Sequence, residues 1–167
     1  MKSIAIIGMP GCGKSTVSRI AAQLLGMDCY DSDAEIERLA GMKVADIFAE
    51  FGSDFFRKAE SGVVAALSMR ENTLLSLGGG AVLYNEETIR ANCFVVYLTR
   101  DIEQIHASIL AKASQRPLVK NIEDLQRTYE DRYEIYERLA DIIVDNDKSP
   151  EAAAGEIAEK VRGIMQK

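Results

Sequence analysis

The chain has no tryptophan, a single histidine, and only three prolines and three cysteines among its 167 residues. The lone imidazole, His106, sits beside an apolar stripe of Ile102, Ile105 and Ile109 and reads as a boundary residue rather than a catalytic base. With no run rich in Pro, Gly or Ser there is no linker, so the chain is read as one domain, 1–167. Cys12, Cys29 and Cys93 form no CxxC pair and are odd in number; they read as reduced thiols of a cytoplasmic protein. The longest apolar runs, such as Phe94–Leu98, are far too short to span a bilayer. The N-terminal apolar stretch Ser3–Ile7 is shorter than a signal-peptide core. Basic residues are outnumbered, 20 against 26, giving a net charge of −6. That balance disfavours nucleic acid as a partner, so any anion site must be built locally from a few cations and backbone N–H groups. Apolar content of 47% and charged content of 28% exclude disorder and collagen-like composition.

What is present is an alternation of short apolar runs with helical patterns, the signature of a parallel sheet with crossover helices. Strands are predicted at Lys2–Ile7, Met27–Tyr30, Thr73–Leu77, Cys93–Leu98 and Asp141–Val144. Val17, Ile20, Ala21, Leu24 and Leu25 recur at helical spacing, closed by Gly26 as a C-cap. Further helices are predicted at Ala34–Ala40, Val44–Phe51 and Asp54–Met69. Others run around Ile102–Leu110 and Leu125–Ala140, and a last one follows Ser149-Pro150. The apolar period fails between Lys112 and Glu123, and residues 112–122 are read as a mobile lid.

Gly8-Met9-Pro10-Gly11-Cys12-Gly13-Lys14-Ser15 fits G-x-x-x-x-G-K-[ST] between a strand and an amphipathic helix. Phosphate oxygens need converging N–H donors and a positive dipole end, and this turn supplies both. Lys14 adds a point charge for the β- and γ-phosphates and Ser15 a hydroxyl for Mg²⁺. Gly11, Cys12, Gly13 and Thr16 complete the expected ATP contacts, with the Cys12 thiol expected at the nucleotide. No Asn-Lys-x-Asp is present for guanine, and Phe94–Leu98 runs into Thr99-Arg100-Asp101 rather than directly into an aspartate.

Asp31-Ser32-Asp33 follows the second strand, at the end facing the phosphate loop. One carboxylate can hold a metal-bound water and the other can orient a substrate hydroxyl; one of them, Asp33 included, can also cap the next helix. Glu60 lies on the apolar stripe Phe56/Val63/Leu67 with Arg57 as its i−3 neighbour, and that segment alone favours a purely structural pair or a solvated face over a substrate site. Gly78-Gly79-Gly80 at the third strand end permits a close approach of backbone to ligand. Arg116, in the aperiodic segment, can neutralise a transferred phosphoryl group or stand as an ordinary solvated loop cation. Arg132 falls on the apolar stripe of its helix, and no sequence-local acid shares that stripe, so a substrate carboxylate and a distant structural acid stand equal.

GMPGCGKST at 8–16, DSD at 31–33, FRKAE at 56–60, GGG at 78–80, RPL at 116–118 and RYEIYERLAD at 132–141 together resemble the shikimate kinase family. The resemblance runs nearly end to end. It implies a three-layer α/β/α P-loop fold with a central five-stranded parallel sheet and a lid. It also implies transfer of the γ-phosphoryl of ATP to the 3-hydroxyl of shikimate with Mg²⁺, in a cytoplasmic monomer. Under it, Asp33, Lys14 and Arg116 are catalytic. Asp31, through water, and Ser15 serve the metal. Arg57, Arg132, Gly78, Gly79 and Gly80 cradle shikimate together with Asp33, and Pro150 lies near adenine. Two departures stand out: Ser53 replaces a usual glutamate. Ser108 occupies the position where members often carry an arginine against adenine, with Lys112 as the substitute the sequence offers. The alternatives are a P-loop kinase for another carboxylated polyol such as gluconate, and a non-catalytic nucleotide-binding regulator.

Overall fold

The computed structural model describes residues 2–112 and 121–165. Five strands, β1 (Ser3–Ile7), β2 (Asp28–Asp31), β3 (Thr73–Ser76), β4 (Cys93–Thr99) and β5 (Ile142–Asp145), form one parallel sheet in the order β2-β3-β1-β4-β5. The helices are α1 (Lys14–Leu25), α2 (Ser32–Ala40), α3 (Val44–Ser68), α4 (Val82–Asn92), α5 (Ile102–Ala111), α6 (Ile122–Leu139) and α7 (Pro150–Met165). Right-handed crossovers dictate their sides. The chain steps one way from β1 to β2, which puts α1 on one face, where α7, following the last strand, packs against it. It steps the other way through β3, β4 and β5, which puts α3, α4 and α6 on the opposite face, each in contact with the next. The expected three-layer arrangement is therefore present. No helix among the described residues is long and apolar enough to cross a membrane.

Both faces of the sheet are covered, so its middle strands read as unbroken apolar runs. Every residue of β1 is buried, and Ile4, Ile6 and Ile7 join Leu74, Leu75, Val96 and Leu98 in the core. Burial of each such side chain stabilises the fold by about 1.5–3 kcal/mol. β1 sits at the centre of the sheet, between β3 and β4, so its carboxyl end opens on the crevice where the strand order reverses.

The predicted strands stand within a residue or so of the observed ones. The two helices expected at Val44–Phe51 and Asp54–Met69 are the halves of α3, broken at Gly52, whose φ of 81° and ψ of 175° only glycine adopts readily. α4 has no counterpart in the sequence reading. Its inward face carries Val82, Asn85 and Ile89, with a polar residue in the middle, while Leu83 and Tyr84 face outward. Asn85 satisfies itself by donating to the Ala81 carbonyl at 2.9 Å. Of the expected lid, residues 113–120 lie outside the described residues.

Candidate active site

The phosphate loop runs from the end of β1 into α1. Gly13 precedes the helix with φ 97°, a left-handed conformation that closes the turn without a Cβ penalty. The first amides of α1, at Lys14, Ser15 and Thr16, converge on the crevice as orphan donors at the positive end of the helix. Lys14 Nζ arches back over the loop and donates to the Gly8 and Met9 carbonyls at 2.9 and 2.8 Å. The Cys12 side chain does not reach the nucleotide side as expected. It is fully buried, with Sγ turned beneath Gly8 and 3.9 Å from Lys14 Nζ. Only the Cys12 backbone can serve the loop, because its apolar neighbours take the thiol into the core.

Asp31 is the hub of the next group. Its Oδ2 accepts from Ser15 Oγ at 2.6 Å and from Ser76 Oγ at 2.9 Å. Its Oδ1 accepts from the backbone N–H of Asp33 and Ala34, so Asp31 rather than Asp33 caps α2, which begins at Ser32. The capping role, left open between the two aspartates by the sequence, thus falls to Asp31, and Asp33 stands in the first turn of α2 close to Gly78. Ser15, Asp31 and Ser76 are hard oxygen donors beside the phosphate loop. A magnesium ion suits such a set, since it takes one or two carboxylates or hydroxyls and fills the rest of its shell with water and phosphate. Among the described residues no cluster of three His, Cys, Asp or Glu forms a metal cage of its own.

On the β2–β3 side the remaining groups meet around Gly78–Gly80. An ideal Cβ on Gly78 would lie 2.9 Å from Asp33 Oδ1 and 3.3 Å from Glu60 Oε2. On Gly79 it would lie 2.7 Å from Pro10 Cδ, and on Gly80 2.7 Å from an Arg57 guanidinium nitrogen. None of the three has a positive φ, so these glycines are required for close approach rather than for conformation. The strand end is thus pressed at once against the acceptor-side carboxylates, the phosphate loop and Arg57. Ser32, buried, accepts from the Gly78 N–H at 3.0 Å and pins the run to α2.

Glu60 is 1% exposed and accepts from Arg57 at 2.7 Å, an inward ion pair as the stripe predicted. Burial pushes the Glu60 carboxyl above its usual range, while the bond to Arg57 and the nearby Arg132 pull it down. The Arg57 guanidinium lies over the Phe56 and Tyr84 rings, at 5.3 and 4.9 Å from their centroids. Arg132 is half-buried and acts electrostatically on both Tyr136 and Glu60. Tyr136 in turn donates to the Gly79 carbonyl, and burial pushes its phenol up to about 12, so it remains a donor at neutral pH. Two cations, Arg57 and Arg132, thus face two carboxylates, Glu60 and Asp33, in this part of the crevice.

On the other side of β1, α5 packs on the phosphate loop: an ideal Cβ on Gly11 would meet Ile109 Cγ1 at 2.8 Å. Asp101 caps α5, and its own N–H donates to Asp147 at 2.6 Å. Pro150 opens α7 just beyond that turn. Lys112, at the C-cap of α5, is exposed. Ser108 Oγ instead accepts from the Arg100 guanidinium at 2.9 Å, with Gln104 Oε1 accepting from Arg100 Nε at 3.2 Å.

Arg116 lies outside the described residues. The other site residues gather at the carboxyl ends of β1, β2 and β3 or on the helices over them, except Pro150, which opens α7 beyond β5. The sequence reading gave no role to Ser76, Tyr84 or Arg100, took Tyr136 as packing, and placed Asn146 only within the Asp145–Pro150 loop expected near adenine. Only Tyr136 left a mark in the pattern, as a polar-tipped residue on the buried stripe of α6.

A shikimate kinase family model matches residues 10–162. A shikimate kinase from Pasteurella multocida is 38% identical over 170 residues, covering 98% of this chain and 97% of its own. The structure of a shikimate kinase from Acinetobacter baumannii in complex with shikimate superposes with a TM-score of 0.93 at 30% identity, covering 100% of this chain and 96% of that one. One from Aquifex aeolicus superposes at 0.80 with 29% identity, covering 98% of each chain. Matched over nearly its whole length in both sequence and structure, this protein belongs to the shikimate kinase family.

Proposed function

We propose that this chain transfers the γ-phosphoryl group of ATP to the 3-hydroxyl of shikimate. The observation that carries the reading is the contact of Gly79 with Pro10. It abuts a carboxylate-binding pocket directly on a phosphate loop, so acceptor and donor meet without an intervening wall. The loop amides and Lys14 hold the triphosphate. Arg57 and Arg132 hold the substrate carboxylate, which fixes the ring and leaves its hydroxyl beside Asp33. Asp33 orients that hydroxyl and takes its proton as the phosphoryl group is transferred. The two arginines contribute charge-assisted bonds of about 1.5–3 kcal/mol each.

Ser15 and Asp31 would hold Mg²⁺, Asp31 through water, and the ion would supply neutralisation of phosphate charge. At the base end, Arg100 takes the place of the arginine missing at Ser108: its guanidinium, fixed by Gln104 and Ser108, offers a flat cationic face for adenine. Arg116 stabilises the charge on the transferred group; its alanine variant should lower kcat far more than either binding affinity. The enzyme acts as a cytoplasmic monomer, in keeping with three free cysteines.

A coupled ADP-release assay with shikimate, quinate and gluconate in parallel tests the reading. Turnover with shikimate and little with gluconate is expected. ATP binding without ADP release on shikimate would overturn it and favour a nucleotide-binding regulator.

A further inference from the structure

Asn146 follows β5, on the far side of the sheet from the acceptor pocket, and is 3% exposed. Its backbone N–H donates to the Thr99 carbonyl at 2.9 Å, which fixes the residue to the end of β4. Its side-chain Nδ2 donates to the Cys12 carbonyl at 2.8 Å, reaching across 134 positions of sequence into the phosphate loop. The amide presses so closely on the loop that an ideal Cβ at Gly13 would stand 2.5 Å from Nδ2. Its Oδ1 is buried with no hydrogen-bond partner among the described residues. An orphan acceptor of this kind is a standing cost to stability. Fold stability alone therefore does not explain an asparagine here.

Cys12 C=O and Gly13 N–H belong to one trans peptide and point in opposite directions. A donor that draws the Cys12 carbonyl down into the protein turns the Gly13 N–H outward, into the crevice with the amides of Lys14 and Ser15. Left alone, a peptide between two residues of a glycine-rich turn can rotate, and the reversed orientation would present a carbonyl oxygen to an anion. We propose that Asn146 is a positioning residue for nucleotide binding: by holding the Cys12–Gly13 peptide in one orientation, it keeps the Gly13 N–H aimed at the phosphate groups. The proposal rests on the reading of residues 8–15 as the nucleotide site. It also ties that loop to the turn at 145–147, which contacts Asp101 at the head of α5, so the base side and the phosphate side of the nucleotide site move as one piece.

The test is calorimetric binding of inorganic tripolyphosphate, ATP and shikimate to the wild-type protein and to Asn146→Leu and Asn146→Asp. Leucine keeps the volume and removes the donor; aspartate keeps the shape and sets a carboxylate against the Cys12 carbonyl. Both variants should bind tripolyphosphate and ATP about tenfold or more weakly, aspartate the worse of the two, with shikimate affinity and the fraction of binding-competent protein unchanged. Tripolyphosphate has no base, so an equal loss for it and for ATP places the effect on the phosphates. If either variant binds tripolyphosphate as the wild type does, the proposal fails. For any variant that melts early, binding is measured well below its midpoint and scaled to the folded fraction, so that a stability loss is not read as a binding loss. A wild-type protein that binds neither tripolyphosphate nor ATP would instead overturn the nucleotide-site reading itself.

Discussion

Arg57 and Arg132 sit in the acceptor pocket on different terms. Arg57 is already paired with Glu60 at 2.7 Å, whereas Arg132 meets a neutral phenol. Arg132→Ala should therefore remove more uncompensated positive charge. Steady-state kinetics should show KM for shikimate rising by about 10-fold or more for each alanine variant, the larger rise at Arg132, with KM for ATP nearly unchanged. An equal loss for ATP would remove both residues from the acceptor pocket. Arg100→Ala should do the reverse, raising KM for ATP while leaving tripolyphosphate and shikimate binding intact. Glu60 gives a pH signature. Its carboxyl is raised above 4.5 by burial, so the folded protein binds that proton more tightly than the unfolded chain does. The stabilisation from this group is complete below about 4.5 and is lost as pH rises through the raised value. Thermal melts between about pH 4 and 8 should then show the wild type losing ground to Glu60→Gln as the pH increases. A constant gap would mean that Glu60 titrates normally.

Among the elements, α3 and α4 divide what the sequence disclosed from what it hid. The stripe Phe56/Glu60/Val63/Leu67 was legible because three of its four members are apolar at helical spacing, and a charged residue among them stands out. α4 was not legible, because its buried face carries Asn85 and its exposed face Leu83 and Tyr84. Tyr84, the residue that covers Arg57, was lost with it. The phosphate loop, the second-strand aspartates and the glycine run announced themselves by local spacing. Their anchors did not: Tyr136 and Asn146 act on carbonyls 57 and 134 positions away, and no local pattern encodes such a contact. Asp31 and Asp33 were found together but could not be ranked as cap and acceptor, since either suits a helix N-terminus. The break in α3 offers a separate test. Nothing lies within 4 Å of an ideal Cβ on Gly52, so Gly52→Ala meets no clash, only a backbone at φ 81°. A cost of about 1–3 kcal/mol is expected, seen as a lowered midpoint in urea with an unchanged slope. A neutral result would show that the two halves of α3 can fuse or bend differently.

Across the whole molecule, the two proposed ligand sites flank the central strand, one over β2 and β3 and the other over β4 and β5. Hydrogen exchange should separate them. Shikimate alone should slow amides in α3 and at 78–80, and ADP alone those at 8–16, in α5 and at 145–150. Each ligand at about 100 times its Kd should add roughly 2.7 kcal/mol of stability. Protection of the acceptor side by ADP alone, as strong as that by shikimate, would contradict this division.

The long reach of Tyr136 and Asn146 also bears on vectorial synthesis. A ribosome delivers the chain from its N-terminus, so the phosphate loop and the glycine run leave the exit tunnel early. The side chains that pin Gly79 and Cys12 belong to the last quarter of the sequence, and β4, one of the two partners of β1, also arrives late. Until then the loop has its sequence but not its shape. A nascent chain is thereby kept from sequestering nucleotide before it can use it. A truncated gene product that stops short of Tyr136 would carry every residue of the Gly8–Ser15 signature and still present no formed site.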